Sequence, residues 1–176
     1  MRKLSTLLQE SAGYEFGCVM LNFQFAHLFS IHECISQKDL FIDESTKGFE
    51  DDPHVTLLYG LHDIVDVEDI RAIINNYTFG SITLEHISLF ENGKYDVLKF
   101  DVFGDCLHDI NSDLRLLPHT TNFPDYTPHM TIAYLKSGKG RVYAELLEDK
   151  SFEVKPFNVK FSTPFGDSFI MPIRIL

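Results

Sequence analysis

Two segments of the chain carry the same short pattern. Pro53-His54-Val55-Thr56-Leu57-Leu58-Tyr59 and Pro128-His129-Met130-Thr131-Ile132-Ala133-Tyr134 each place a histidine after a proline and two residues before a threonine. A free imidazole titrates at about pH 6.5, so near neutrality one of a pair can be neutral while the other is protonated. The neutral ring removes a proton from an attacking oxygen, and the protonated ring gives one to a leaving oxygen. Threonine hydroxyls beside them can donate to the non-bridging oxygens of a phosphate and support the charge that builds there. In-line displacement at phosphorus needs its base and acid on opposite sides, which a two-fold arrangement supplies. No metal and no cofactor is needed. A single His-x-Thr is common by chance, whereas two in matching contexts point to catalysis. Which histidine is base and which is acid stays open at this level.

Strand periodicity positions these groups. Successive side chains on a strand point to opposite faces. His54 and Thr56 therefore share one face and Val55, Leu57 and Tyr59 the other. In the second copy His129 and Thr131 oppose Met130, Ile132 and Tyr134. Each strand is expected to turn its apolar face to helices and its imidazole and hydroxyl to a cleft. Around them the patterning predicts strands at residues 14–25, 54–59, 79–90, 95–103, 129–135, 152–162 and 168–175. Helices are predicted at 66–77, with Asp66 as N-cap, at 105–117 and at 141–147, with weaker helical character at 4–10 and 26–36. Glu91-Asn92-Gly93-Lys94 signals a hairpin. The acidic stretch 38–52 reads as a surface loop, and whether it closes over the site as a flap stays open at this level.

The order strand, helix, strand, strand occurs twice. The two histidines and the two following helices are each 75 residues apart, and the next strands 73. An internal duplication explains this. The expected architecture is α+β, with two pseudo-symmetric lobes of antiparallel sheet, flanking helices and an active-site cleft between the lobes. Residues 1–176 are read as one such two-lobed domain.

The composition narrows the ligand. Fifteen basic and 26 acidic residues give a formal net charge of −11. That sign disfavours a surface that coats a long polyanion, because such affinity is built mainly from cationic phosphate contacts. A small anion held in a local pocket is compatible with it. The charge is uneven: residues 1–128 carry −13 and residues 129–176 carry +2, with Lys136, Lys139 and Arg141 clustered past His129. The second half is thus expected to receive the anion. No membrane association and no obligate protein partner is indicated. Three scattered cysteines, no apolar leader and no run of about 18 apolar residues suggest a cytoplasmic protein.

Further candidates are aromatic or cationic. Tyr14, Phe123 and Tyr126 are candidates for stacking on a nucleobase, and Lys136 for approaching a phosphate, although packing roles compete in each case. His27, His32, His62, His86, His108 and His119 share no metal-ligand spacing and read as surface or locally satisfied histidines.

The paired motifs within a duplicated α+β unit resemble the 2H phosphoesterase superfamily, over most of the chain from Tyr14 onward. The resemblance implies catalytic roles for His54, Thr56, His129 and Thr131. Within the superfamily, Glu15-Phe16-Gly17-Cys18-Val19-Met20, the first His-x-Thr block through Gly60 and the second block are most similar to the phage anti-CBASS phosphodiesterases. For that branch the resemblance implies cleavage of cyclic di- and trinucleotide signals of bacterial defence, in the host bacterial cytoplasm. The substrate's own 2′-hydroxyl would attack, and a 2′,3′-cyclic phosphate would form. Other readings are a 2H enzyme acting on RNA ends or 2′,3′-cyclic phosphates, and a non-catalytic protein that sequesters cyclic nucleotides.

Overall fold

The computed structural model describes residues 15–43 and 48–176. The predicted turns at 4–10 and the residue Tyr14 lie outside them. The chain runs β1 (Gly17–Phe23), α1 (His27–His32), a 3-10 turn (Gln37–Asp39), β2 (His54–Leu61), α2 (Val67–Ile74), β3 (Thr78–Phe79), β4 (Ile82–Glu91) and β5 (Tyr95–Phe103). It continues through α3 (Leu107–Leu114), β6 (His129–Lys136), α4 (Gly140–Leu146), β7 (Phe152–Val154), β8 (Pro156–Ser162), β9 (Ser168–Met171) and β10 (Arg174–Ile175). Two four-stranded antiparallel sheets result, ordered β2-β1-β8-β9 and β6-β5-β4-β7, with β10 and β3 as a short parallel pair.

Local chemistry accounts for several boundaries. Asp66 caps α2 by accepting from the Glu68 N–H at 2.9 Å, and the helix buries Ile70 and Ile74. Asn92 Oδ1 accepts from the Lys94 and Tyr95 N–H groups while Gly93 takes φ +83°, which closes the β4–β5 hairpin. Two predicted strands are split by proline. Residues 152–162 break before Pro156, so β7 joins one sheet and β8 the other. Residues 168–175 break at Pro172, which has no N–H to donate to a ladder. Residues 79–90 likewise divide into β3 and β4.

The repeat starts one strand earlier than the histidine spacing suggests. Its two copies are β1-α1-β2-α2-β4 and β5-α3-β6-α4-β8, with equivalent elements beginning 73 to 80 residues apart. In each copy the first strand pairs with its own histidine strand and with the last strand of the other copy: β1 with β2 and β8, β5 with β6 and β4. The copies thus exchange their final strands. Sequence halves do not correspond to sheets, and the −13 against +2 division does not describe two lobes.

Residues 38–52 also depart from expectation. Leu40 is buried and bridges Leu135, and Phe49 bridges Ala133. The Phe41 and Glu50 N–H groups donate to the Tyr134 and Ile132 carbonyls at 2.9 and 3.1 Å. The described parts of this stretch cover the outer edge of β6, whose backbone groups would otherwise lack partners. The segment before β6 does the same for β2: Leu61 bridges His119, and the Thr120 N–H donates to the Gly60 carbonyl at 2.9 Å. Cover is exchanged as the final strands are.

Candidate active site

The two histidine strands, β2 and β6, lie against each other where the sheets meet. Their cross-strand partners define the site's floor. His54 stands opposite Asn22 and Thr56 opposite Met20, while His129 stands opposite Asp101 and Thr131 opposite Lys99. Both strands carry an extra residue at the same place. Leu57 is inserted between the Val19↔Leu58 and Met20↔Thr56 pairs, and Ile132 between Leu98↔Ala133 and Lys99↔Thr131. These are β-bulges, and each reverses the alternation beyond it.

The bulges correct the expected placement of two tyrosines. Tyr59 pairs with Cys18 and Thr56 with Met20, so both belong to one face. Tyr134 pairs with Val97 and Thr131 with Lys99, with the same consequence. Tyr59 and Tyr134 therefore join the histidine faces rather than the apolar ones. Burial raises the Tyr134 phenol above its ordinary pKa, with Glu50 and Tyr95 adding to this and a hydrogen bond with Thr131 opposing it. The sequence held a signal for the shift: Leu57-Leu58 and Ile132-Ala133 each put two apolar residues in succession, and all four are buried.

Each imidazole is oriented in the same way. His54 Nδ1 lies 2.7 Å from the Asp52 carbonyl and His129 Nδ1 lies 2.9 Å from the Thr127 carbonyl. A carbonyl only accepts, so Nδ1–H donates in both rings and Nε2 is left to exchange protons with a ligand. The rings differ in surroundings. Burial lowers the His129 pKa, and the charges of Lys99 and His54 lower it further, against the Thr127 carbonyl and Asp101. The contact between β2 and β6 brings the two histidine strands together, in keeping with His54 being among the charges that act on His129.

Lysines from both sheets approach the histidine rows. Lys99 is buried and donates to Asp101 Oδ1 at 2.6 Å and Ser88 Oγ at 2.7 Å, with its ammonium 4.5 Å from the Phe90 ring centre. Lys160, opposite Met20 on β8, pairs with Asp52 at 3.2 Å. Cys18, beside Thr56, is no nucleophile at neutral pH, because burial pushes its thiol up to about 11. Lys99 and Asp101 were missed in the sequence. Their signal was a pair of opposite charges two residues apart within the apolar run Val97–Phe103.

The remaining predicted ligand contacts are placed elsewhere or otherwise engaged. Tyr126 donates its hydroxyl to the Thr56 carbonyl at 3.1 Å and anchors the loop to β2. Phe123 is exposed on the loop, and its carbonyl accepts from Arg115. Lys136 donates to the Lys38 carbonyl, and it sits at the far end of β6, roughly 20 Å from His129 at the usual strand rise. Lys139 and Arg141 follow it, so the structure does not bring that cluster to the histidines. Among the described residues no three His, Cys, Asp or Glu side chains form a group fit for a metal. None of the described helices is long and apolar enough to cross a membrane.

Two buried side chains brace the bulges across the duplication. Asn111 on α3 donates to the Leu57 carbonyl at 2.6 Å, and His32 Nε2 on α1 donates to the Ile132 carbonyl at 2.9 Å. Each bulge carbonyl is thus served by a helix of the other copy. Replacing Asn111 with leucine orphans the buried Leu57 carbonyl and removes the acceptor for Arg115 Nε. The expected loss is about 1–3 kcal/mol, read as a fall in the thermal midpoint of about 2–4 °C per kcal/mol. An unchanged midpoint would show that the brace is dispensable.

Paired antiparallel sheets with a His-x-Thr strand at the meeting edge of each define a 2H phosphoesterase-like fold. Solved structures of this fold align with nearly the whole chain. Usb1 of Kluyveromyces marxianus, solved with uridine monophosphate, matches at TM-score 0.58 and 10% identity, covering 92% of this chain and 99% of its own. The PDE domain of MHV ns2 matches at TM-score 0.50 and 17% identity, with 90% and 98% covered. E. coli LigT complexed with 3′-AMP matches at TM-score 0.50 and 14% identity, with 90% and 95% covered. No protein-family model and no curated protein matches the sequence. At these identities the likeness is one of fold.

Proposed function

We propose that the chain is a metal-independent phosphodiesterase that hydrolyses cyclic di- or trinucleotides and so counteracts CBASS-type antiphage defence. The observation that carries the catalytic part is the matched pair of imidazoles, each held through Nδ1 with Nε2 left for proton exchange. In the proposed reaction His129 Nε2 takes the proton of a ribose 2′-hydroxyl as its oxygen attacks phosphorus. The bond from phosphorus to the 5′-oxygen breaks, and protonated His54 gives its Nε2 proton to that oxygen. A 2′,3′-cyclic phosphate results, which water then opens with the histidines in exchanged roles. The lowered pKa of His129 favours it as the base. Thr56 and Thr131, on the same strand faces as the histidines, would donate to the non-bridging oxygens. A formal charge of −11 favours a compact anion over a long one.

A second reading, action on RNA ends or 2′,3′-cyclic phosphates, is favoured by the mononucleotides named with Usb1 and LigT. Mass spectrometry of products from cyclic dinucleotides, cyclic trinucleotides and end-phosphorylated RNA oligomers separates the two. The expected result is faster cleavage of a cyclic substrate, unaffected by EDTA and absent when the 2′-hydroxyl is replaced by hydrogen. Preference for the linear oligomers would transfer the assignment to RNA ends. Binding without cleavage would make the chain a sequestering protein, and loss of activity in EDTA would overturn metal independence.

A further inference from the structure

The two histidine sites differ most in what stands opposite them. His54 faces the neutral Asn22, with Met20 in the next row, whereas His129 faces Asp101, with Lys99 in the next row. The duplication repeats the imidazole, the hydroxyl and the bulge but not this charged pair. Lys99 and Asp101 lie on the same face of β5, and both hydrogen-bond Ser88 on β4. Phe90 closes the cluster, its ring 4.5 Å from the Lys99 ammonium and edge-on to His129 at 5.0 Å between centres.

We propose that Lys99 is a positioning residue that makes the two imidazoles inequivalent and confines the base role to His129. This rests on the reading of His129 as the base. Burial is the largest influence on the His129 ring, and the charges facing it add to or oppose that effect. Lys99 on β5 and His54 on β2 disfavour a second positive charge there, while Asp101 on β5 favours it. On β4, His86 is close enough to act on Asp101, and Glu85 stands opposite it in register. Burial alone would raise the Asp101 carboxyl, but the hydrogen bonds from Lys99 and Ser88 hold it below its ordinary value. The carboxylate is therefore ionised and largely committed to Lys99. The ammonium both repels the imidazolium and occupies the carboxylate that would stabilise it. His54 has neutral Asn22 and Met20 on its facing strand; the Lys160–Asp52 pair of its side lies one strand further, on β8, with Asp52 flanking β2.

Substitutions of the two partners should act in opposite directions. Lys99→Met releases Asp101 to His129, so protonation of that ring becomes easier and its titration midpoint should rise by about one pH unit. Asp101→Asn leaves the ammonium uncompensated, and the midpoint should fall. NMR titration of the His129 ring in the full-length, substrate-free protein reads this directly, with His129→Gln identifying the resonance. In kcat/KM against pH the acidic limb should follow the ring midpoint, upward in Lys99→Met and downward in Asp101→Asn. A merely structural cluster would lower activity in both variants without opposed shifts. Midpoints that stay in place, or move together, would overturn the proposal, and if Lys99→Met does not fold, Asp101→Asn alone decides it. The ring titration needs no turnover. Opposed shifts in a protein that cuts no phosphodiester would sink the enzymatic reading but not the electrostatic coupling, and cleavage without shifts would remove the Lys99 assignment alone.

Discussion

Alanine at either His54 or His129 is expected to lower turnover by about 10²- to 10⁴-fold, the usual contribution of a positioned acid or base, with the fold retained. Both rings are half-buried, and each has a hydrogen bond to the carbonyl two residues before it. Truncation therefore removes the Nε2 chemistry and a local tether, and neither ring belongs to the buried apolar core. The two losses should differ in kind. With an aryl oxygen as leaving group no proton is needed at departure, so an acid is dispensable while a base is not. A nucleoside 3′-(p-nitrophenyl phosphate) with a free 2′-hydroxyl should restore most of the rate lost in His54→Ala and little of that lost in His129→Ala. Reversal of that pattern would exchange the roles, and full activity in either alanine variant on the natural diester would end the two-histidine mechanism. A threonine variant should cost less. Thr131→Val removes one donor to a charged oxygen, about 1.5–3 kcal/mol, and leaves both proton-transfer groups in place.

The chemistry of the site was legible because it is written locally. Pro-His-x-Thr on an apolar strand fixes which residues face the ligand within two positions, and Asn92-Gly93 and Asp66 fix their turn and cap by short-range hydrogen bonds. What the sequence concealed depends on pairing between distant strands. The exchange of β4 and β8 between copies cannot be inferred from a constant offset, since paired and exchanged arrangements have the same spacing. Tyr59 and Tyr134 were placed on the wrong face because a bulge is one inserted residue, visible only once a partner strand supplies the register. Lys99 follows the same logic. On its own strand it is one cation in a mostly apolar run beside Asp101, and it acquires meaning only from Thr131 opposite and Ser88 on the other side. The stretch 38–52 misled through composition, since a few residues such as Leu40 and Phe49 dock it to β6 while its acidic side chains dominate the count.

Gly60→Ala is expected to be the most damaging small substitution away from the histidines, costing about 3–5 kcal/mol, which is most of the stability of a marginal domain. Gly60 is the second extra residue of β2, between the Cys18↔Tyr59 and Gly17↔Leu61 pairs, and it takes φ +115°. A Cβ there would stand 2.0 Å from the Thr120 carbonyl oxygen and 2.9 Å from its carbon. Those are backbone atoms of the segment that covers the β2 edge, and the same contact carries the Thr120 N–H to Gly60 carbonyl bond. A flexible side chain could swing aside, whereas this backbone can move only by leaving the strand. Steric exclusion and left-handed strain thus add. Gly93→Ala separates them, because its φ of +83° is similarly unfavourable while nothing lies within 4 Å of the added methyl. That variant should lose only about 1–2 kcal/mol. Urea denaturation of both variants measures the difference, and equal losses would mean that the approach of Thr120 to β2 is loose in solution. Where Gly60→Ala still folds, displacement of the cover should also reach the site, because the same loop carries Tyr126 to the Thr56 carbonyl and ends at His129.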